Sequence, residues 1–75
     1  MFEKLTFFKE LKLFDVGNKV KRASIMLGKH GSSLKPTEEF TLAMRSAVIA
    51  FQKKHNLEAT GRIDVKTWRA LKKKP

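Results

Sequence analysis

Apolar residues recur along the second half of the chain with the 3.6-residue spacing of an amphipathic helix. The clearest pattern covers residues 42–55 and continues a stripe that starts just upstream. The opposite face of this segment is polar. The pattern therefore predicts a helix over residues 42–55 that buries one face, made of Phe40, Met44, Ala47, Val48 and Phe51.

Residues typical of a helix C-terminus and of the N-cap of a next helix follow this segment. Asn56 can adopt the left-handed conformation that ends a helix, and Leu57 can then fold back as its hydrophobic contact. Gly61 allows a loop geometry that residues with a Cβ resist. Asp64 is placed to cap the next helix. We therefore expect a last helix over residues 65–73, with an inward face of Val65, Trp68 and Leu71.

Weaker patterns precede the strong helix. The spacing of Val20, Ala23 and Leu27 predicts a helix of about ten residues from residue 19, with Asn18 as its N-cap. This helix should end at Gly28 or Gly31. Residues 35–39 predict a short helical turn, whose two glutamates, Glu38 and Glu39, would interact with the dipole of the following helix.

The first fourteen residues alternate Phe or Leu with Lys or Glu. They predict an amphipathic segment, helical over residues 3–12, although residues 11–14 fit a short extended stretch equally well. We expect this segment to cover Leu42 and Ile49, which form a second apolar strip on the 42–55 helix. The chain then divides into the N-terminal segment 1–14 and a domain over residues 15–73.

Gln52 lies at the edge of the main apolar stripe. Its amide can both donate and accept hydrogen bonds. We interpret it as a structural residue that holds a neighbouring loop backbone.

Length and composition limit the alternatives. The 75 residues form one domain, which buries only about 60% of the surface that the unfolded chain exposes. There is no Cys, and hence no disulfide or thiolate site. No apolar run approaches the roughly 20 residues that span a bilayer. The start lacks the pattern of a signal peptide. We therefore expect action in the cytosol, a phage-type release, or a place within a longer exported protein.

The chain is strongly basic, with 17 Lys and Arg against 7 Asp and Glu and a net charge of +10. Such an excess favours polyanionic partners, namely nucleic acid, acidic lipid headgroups or the anionic polymers of a bacterial wall. Charge alone does not choose between these partners and a solvated surface.

No pattern typical of a catalytic centre or a metal site is found in the sequence. His30 and His55 are 25 positions apart, and His55 suits the C-terminus of a helix. Asp64 is interpreted as a cap and Trp68 as a core residue. We therefore expect a protein that is not an enzyme and that binds no cofactor or metal.

Residues 40–71 resemble the second half of the peptidoglycan-binding domain of many bacterial and phage wall-lytic enzymes. The matching positions are Ala47, Val48, Phe51, Gln52, Leu57, Gly61, Ile63, Asp64, Thr67, Trp68 and Leu71. The first half departs from the family pattern. Ala23 and Ser24 stand where the family has Leu and Gln, and Thr41 and Met44 stand where it has Gly and Thr.

The resemblance implies an all-α fold, a compact three-helix bundle to which residues 1–14 are an addition. It also implies a non-catalytic module that binds peptidoglycan or another anionic wall polymer, in a phage or bacterial wall-lytic protein. Binding would occur where the loops before the last two helices meet, with arginines suited to the carboxylates of stem peptides. The residues expected to bind peptidoglycan are Arg45, Arg62, Asp64, Thr67 and Arg69.

Two alternatives stay open at this point. In a nucleic-acid-binding module, the 65–73 helix would present Lys66, Arg69 and Lys73. The nine-residue connection from Asn56 to Asp64 is, however, longer than the three- or four-residue turn of a helix-turn-helix. The other alternative is an assembly scaffold that keeps the fold without wall binding, as the altered first loop would favour.

Overall fold

The computed structural model describes residues 10–74. This part of the chain contains three helices. They are α1 (Asn18–Lys29), α2 (Leu42–Lys54) and α3 (Val65–Lys72). Helix α1 packs against both α2 and α3. Within the described residues, β-structure is limited to two isolated antiparallel bridges. The predicted all-α, three-helix fold is confirmed.

The core lies where the apolar faces of the three helices meet. The predicted stripe of α2 and the predicted face of α1 are both buried, and Ala47 is half-buried at the edge. Phe40, which precedes α2, and Ile63, which precedes α3, are also buried in this core. The buried apolar residues are Leu11, Val20, Ala23, Leu27, Phe40, Met44, Val48, Phe51, Ile63 and Leu71.

Both ends of α2 are fixed by local hydrogen bonds. The Thr41 hydroxyl oxygen accepts from the Met44 N–H at 3.2 Å, which satisfies an unpaired donor of the first turn. At the other end Asn56 has φ 59°, the predicted left-handed conformation. The Leu57 N–H then donates to the carbonyl oxygen of Gln52 at 2.8 Å. This hydrogen-bonded C-terminus of α2 turns Leu57 back against the core.

Helix α1 begins differently from the prediction. Its N-cap is Gly17, at φ 130°, and no side chain caps the helix. Asn18, the predicted cap, is already the first helical residue. The prediction was wrong because Gly17 takes a backbone conformation that residues with a Cβ avoid, so the chain turns into the helix one residue earlier.

The segment before α2 is extended, and the predicted helical turn over residues 35–39 is wrong. The Ser24 hydroxyl accepts from the Thr37 N–H at 3.0 Å and so holds this segment on α1. Val16 and Glu39 then form an antiparallel bridge. Because these pairings draw the backbone away from a helix, the first turn of α2 holds neither Glu38 nor Glu39.

Residues 10–12 are not helical, which contradicts the end of the predicted 3–12 helix; residues 1–9 lie outside the described part. Leu11 instead pairs with Ile63 through two backbone hydrogen bonds of 3.1 and 2.8 Å. Leu42 is 64% exposed, so residues 10–14 do not cover it. Ile49 lies against the loop at Gly61.

The approaches to α2 and α3 repeat one arrangement. In each, an apolar residue precedes a capping side chain, and the helix then buries positions four and eight further along. The buried sets are Phe40, Met44 and Val48 for α2, and Ile63, Thr67 and Leu71 for α3. The inward face predicted for α3 is therefore partly wrong, since Val65 is exposed and Trp68 only half-buried.

Phe51 provides a direct test of this packing, because its side chain is 5% exposed in the centre of the core. We expect Phe51→Ala to lower the free energy of unfolding by about 3–5 kcal/mol, the cost of removing a large buried aromatic group. Leu42→Ala, on the exposed face of the same helix, should cost less than about 0.5 kcal/mol. Urea unfolding followed by circular dichroism measures both, and equal costs would contradict the assigned core.

Candidate functional site

The buried amide of Gln52 joins α2 to the loop that leads into α3. Its Oε1 accepts from the Gly61 N–H at 3.0 Å. Its Nε2 donates to the carbonyl oxygen of Arg62 and to the Thr67 hydroxyl, each at 2.9 Å. Donors and acceptors that would be costly to bury alone are thereby paired. The structural role predicted for Gln52 is confirmed.

Helix α3 begins with a capping hydrogen bond. The Asp64 carboxylate accepts from the Thr67 N–H at 2.9 Å, as predicted from the sequence. The Thr67 side chain points inward and is 1% exposed. Asp64 and Thr67, both expected to contact ligand, therefore form the beginning of α3. The signal for the inward position of Thr67 was its four-residue spacing from Ile63 and Leu71.

Two of the predicted arginines meet the loop at Gly61. A Cβ at Gly61 would lie 3.1 Å from Cγ and Nε of Arg45, and the residue has φ 80°. Both facts favour glycine at this position. Arg62 is the next residue and is exposed, with its Nε 3.8 Å from a carboxylate oxygen of Glu10. The fold thus brings Arg45 and Arg62, seventeen positions apart, to one loop.

Arg69 projects from the exposed side of α3, in its last turn. Among residues 10–74, no hydrogen bond or ion pair joins it to the Gly61 loop. The structure therefore brings Arg45 and Arg62 to one loop, while Arg69 is exposed on α3.

A shallow depression of about 390 Å³ lies beside the start of α3. It is formed by the turn after α2 and the first turn of α3, without the loop that precedes α2. The side chains of two acidic residues, Glu58 and Asp64, contribute to its lining. Its lining residues are Asn56, Leu57, Glu58, Asp64, Val65, Lys66 and Thr67.

A second depression, of about 230 Å³, lies between α2 and the residues that follow α1. His30, Phe51 and His55 cluster here, with ring centroids 5.1 Å apart for His30 and Phe51 and 4.3 Å apart for Phe51 and His55. The Nε2–H of His30 donates to the carbonyl oxygen of Leu71 at 3.0 Å. Sequence reasoning placed His55 at a helix end, where it is the C-cap of α2, but missed its partner His30.

Metal and membrane sites were also sought in residues 10–74. No group of three or more His, Asp or Glu side chains is arranged to hold a metal ion there. None of the described helices has the length and apolar character needed to cross a membrane.

Comparison with known proteins identifies the fold. A family model described as a peptidoglycan binding domain matches residues 16–71. The Burkholderia AP3 phage endolysin is similar at 38% identity and a TM-score of 0.83, over 85% of this chain and 25% of the endolysin. A peptidoglycan-binding protein from Clostridioides difficile, solved with glutamine hydroxamate, is similar at 36% identity and a TM-score of 0.81, over 84% of this chain and 40% of that one.

A third similar structure is a fused Zn-dependent amidase/peptidase/peptidoglycan-binding domain-containing protein from Clostridium acetobutylicum. Its identity is 30% and its TM-score 0.87, over 89% of this chain and 30% of that protein. The chain thus spans between 25% and 40% of the length of these three proteins. Comparison with curated proteins gives no match.

The contribution of the buried Gln52 amide to the stability of the protein can be tested by substitution. Gln52→Met keeps the side-chain length but removes the partners of the Gly61 N–H and of the buried Thr67 hydroxyl. The Arg62 carbonyl keeps the Thr60 hydroxyl as a donor, at 3.3 Å. Because each unpaired buried group costs about 1–3 kcal/mol, we expect a loss of at least 2 kcal/mol. Lys53→Met, at the exposed neighbouring position, is the matched control and should change stability by less than about 0.5 kcal/mol. Urea unfolding measures both, and a stable Gln52→Met variant would refute the assigned role.

Proposed function

The chain belongs to the peptidoglycan-binding domain family, and from that premise we propose that it is a non-catalytic module that binds peptidoglycan. It would hold a phage or bacterial wall-lytic protein on the cell wall. The observation that carries the proposal is the extent of the family match. Residues 16–71 contain α1, α2, both connecting loops and all of α3 except its last residue, Lys72.

Asp64, Thr67 and His30 are residue types that occur in catalytic sites, but here they form structural hydrogen bonds. This use of their side chains supports a binding role. The Asp64 carboxylate caps α3, and the Thr67 hydroxyl is bonded to Gln52 inside the protein. The Nε2 of His30 is bonded to a backbone carbonyl. These groups hold structure together, so we assign no catalytic step to them.

We place the peptidoglycan contact on Arg45 and Arg62 beside Gly61. Guanidinium groups bind carboxylates through two parallel hydrogen bonds, and peptidoglycan carries carboxylates on its stem peptides. The exposed Glu10–Arg62 pair, at 3.8 Å, can be exchanged for such a ligand. In this proposal Asp64 and Thr67 act by fixing the loop, and Arg69 adds a cation on the exposed side of α3.

The test is co-sedimentation with insoluble peptidoglycan that has been stripped of its anionic polymers. Arg45→Gln combined with Arg62→Gln should weaken binding tenfold or more, since a hydrogen bond to a charged group contributes about 1.5–3 kcal/mol. Lys21→Gln combined with Arg22→Gln, on the exposed face of α1, removes the same charge and should leave binding within about twofold. Equal losses in both variants would contradict the placement of the site.

The same experiment separates wall binding from nucleic-acid binding. The proposal predicts that the unmodified protein stays on peptidoglycan above about 0.3 M salt, where purely ionic contacts are screened, and leaves duplex DNA. Retention on DNA with release from peptidoglycan would favour a nucleic-acid module. Release from both would favour the scaffold role.

A further inference from the structure

The C-terminal ends of all three helices meet at one end of the molecule. His30, the C-cap of α1, donates from its Nε2 to the carbonyl oxygen of Leu71 in the last turn of α3, at 3.0 Å. The ring centroids of His30 and His55, the C-cap of α2, are 5.8 Å apart. These contacts bring together three segments that are distant in the sequence.

Each of the three helices carries lysine at this end. A helix C-terminus carries partial negative charge, so cations are favoured in the last turn. All of these lysine residues are exposed. We call the group the lysine end, and it consists of Lys29, Lys53, Lys54, Lys72, Lys73 and Lys74.

The acidic residues among residues 10–74 lie in other segments of the chain than the lysines of the lysine end. Glu58 and Asp64 line the depression beside the first turn of α3. The others lie in the residues before α1 and α2: Glu10, Asp15, Glu38 and Glu39. Within residues 10–74, the ion pairs are Lys12–Asp15 and Arg62–Glu10, and neither involves the lysine end. Positive charge is therefore concentrated there, and no carboxylate of residues 10–74 forms an ion pair with it.

The depression of about 230 Å³ opens beside the lysine end. Lys54 stands at its edge, and the Ser32 side chain offers a hydroxyl. Its other lining residues are aliphatic, aromatic or glycine: Leu27, His30, Gly31, Ala47, Ala50 and Phe51. A flexible polymer of alternating uncharged and anionic groups fits this arrangement, with an uncharged unit in the depression and successive anions on the lysines.

We propose that the lysine end binds a phosphodiester polymer of the cell wall, of the polyol-phosphate type. All six cations are lysine, whose ammonium group on a flexible stem meets a phosphate as a point charge. This surface differs from the arginine pair at Gly61 in the number of its cations, which is enough for several successive phosphates of one polymer. The choice of a wall polymer rests on the proposed function, because such polymers lie beside peptidoglycan.

The test measures binding of purified poly(glycerol phosphate) across a salt series. The variant carries Lys53→Gln, Lys54→Gln, Lys72→Gln and Lys73→Gln. We expect affinity to fall tenfold or more at low salt, because several phosphate contacts are lost. The slope of log affinity against log salt should also become shallower, because fewer counterions are released when fewer phosphates are contacted. Replacing the same four lysines with arginine keeps the charge and should preserve binding.

The matched control removes four exposed charges elsewhere, with Lys19→Gln, Lys21→Gln, Arg22→Gln and Lys35→Gln. It should bind poly(glycerol phosphate) within about threefold of the unmodified protein. Equal losses in the two variants would mean that overall charge governs binding, and would overturn the proposal.

Two further measurements distinguish this proposal from the proposed function. Sedimentation with phosphate-free peptidoglycan should be unchanged in the lysine variant, because the arginine pair is intact. Failure of the unmodified protein to bind poly(glycerol phosphate) overturns the lysine-end proposal even if it sediments with peptidoglycan. Tighter binding of duplex DNA with the same dependence on these four lysines would also overturn it, in favour of nucleic acid.

Discussion

The structure depends on one buried amide. Gln52 is fully buried in α2, and its two polar atoms bind the backbone at Gly61 and Arg62 and the hydroxyl of Thr67. Without it, the loop between α2 and α3 would bury the Gly61 N–H without its hydrogen-bond partner. With these bonds, the loop packs as part of the core and the position at which α3 begins is fixed. The proposed arginine site then lies beside a loop whose backbone is held in place.

The parts of the fold that follow from local chemistry could be predicted from the sequence. The apolar stripe of α2, the left-handed stop at Asn56 with Leu57, and the cap by Asp64 each depend on neighbouring residues, and all three are confirmed. Gln52 could be predicted because a residue that both donates and accepts hydrogen bonds needs partners when it lies beside an apolar face. The family resemblance then supplied the arrangement of the helices.

The parts that depend on distant partners could not be predicted in this way. Leu11 pairs with Ile63, the Ser24 hydroxyl holds Thr37, and His30 binds the last turn of α3. Each interaction joins residues 13 to 52 positions apart, and no local pattern reports it. The candidate site divides in the same way. The charge of the arginines was evident from the sequence, whereas the approach of Arg45 to the loop at Gly61 depends on contacts between distant residues.

The central claim is that the loop at Gly61 shares the stability of the core through Gln52. Native-state hydrogen exchange of the Gly61 amide tests this most directly, because that N–H has its bond to the buried side-chain oxygen of Gln52. The account predicts that the Gly61 amide exchanges only by global unfolding, with the same opening free energy as the Val48 amide in the centre of α2. Rapid exchange of Gly61 while the Val48 amide stays protected would contradict it.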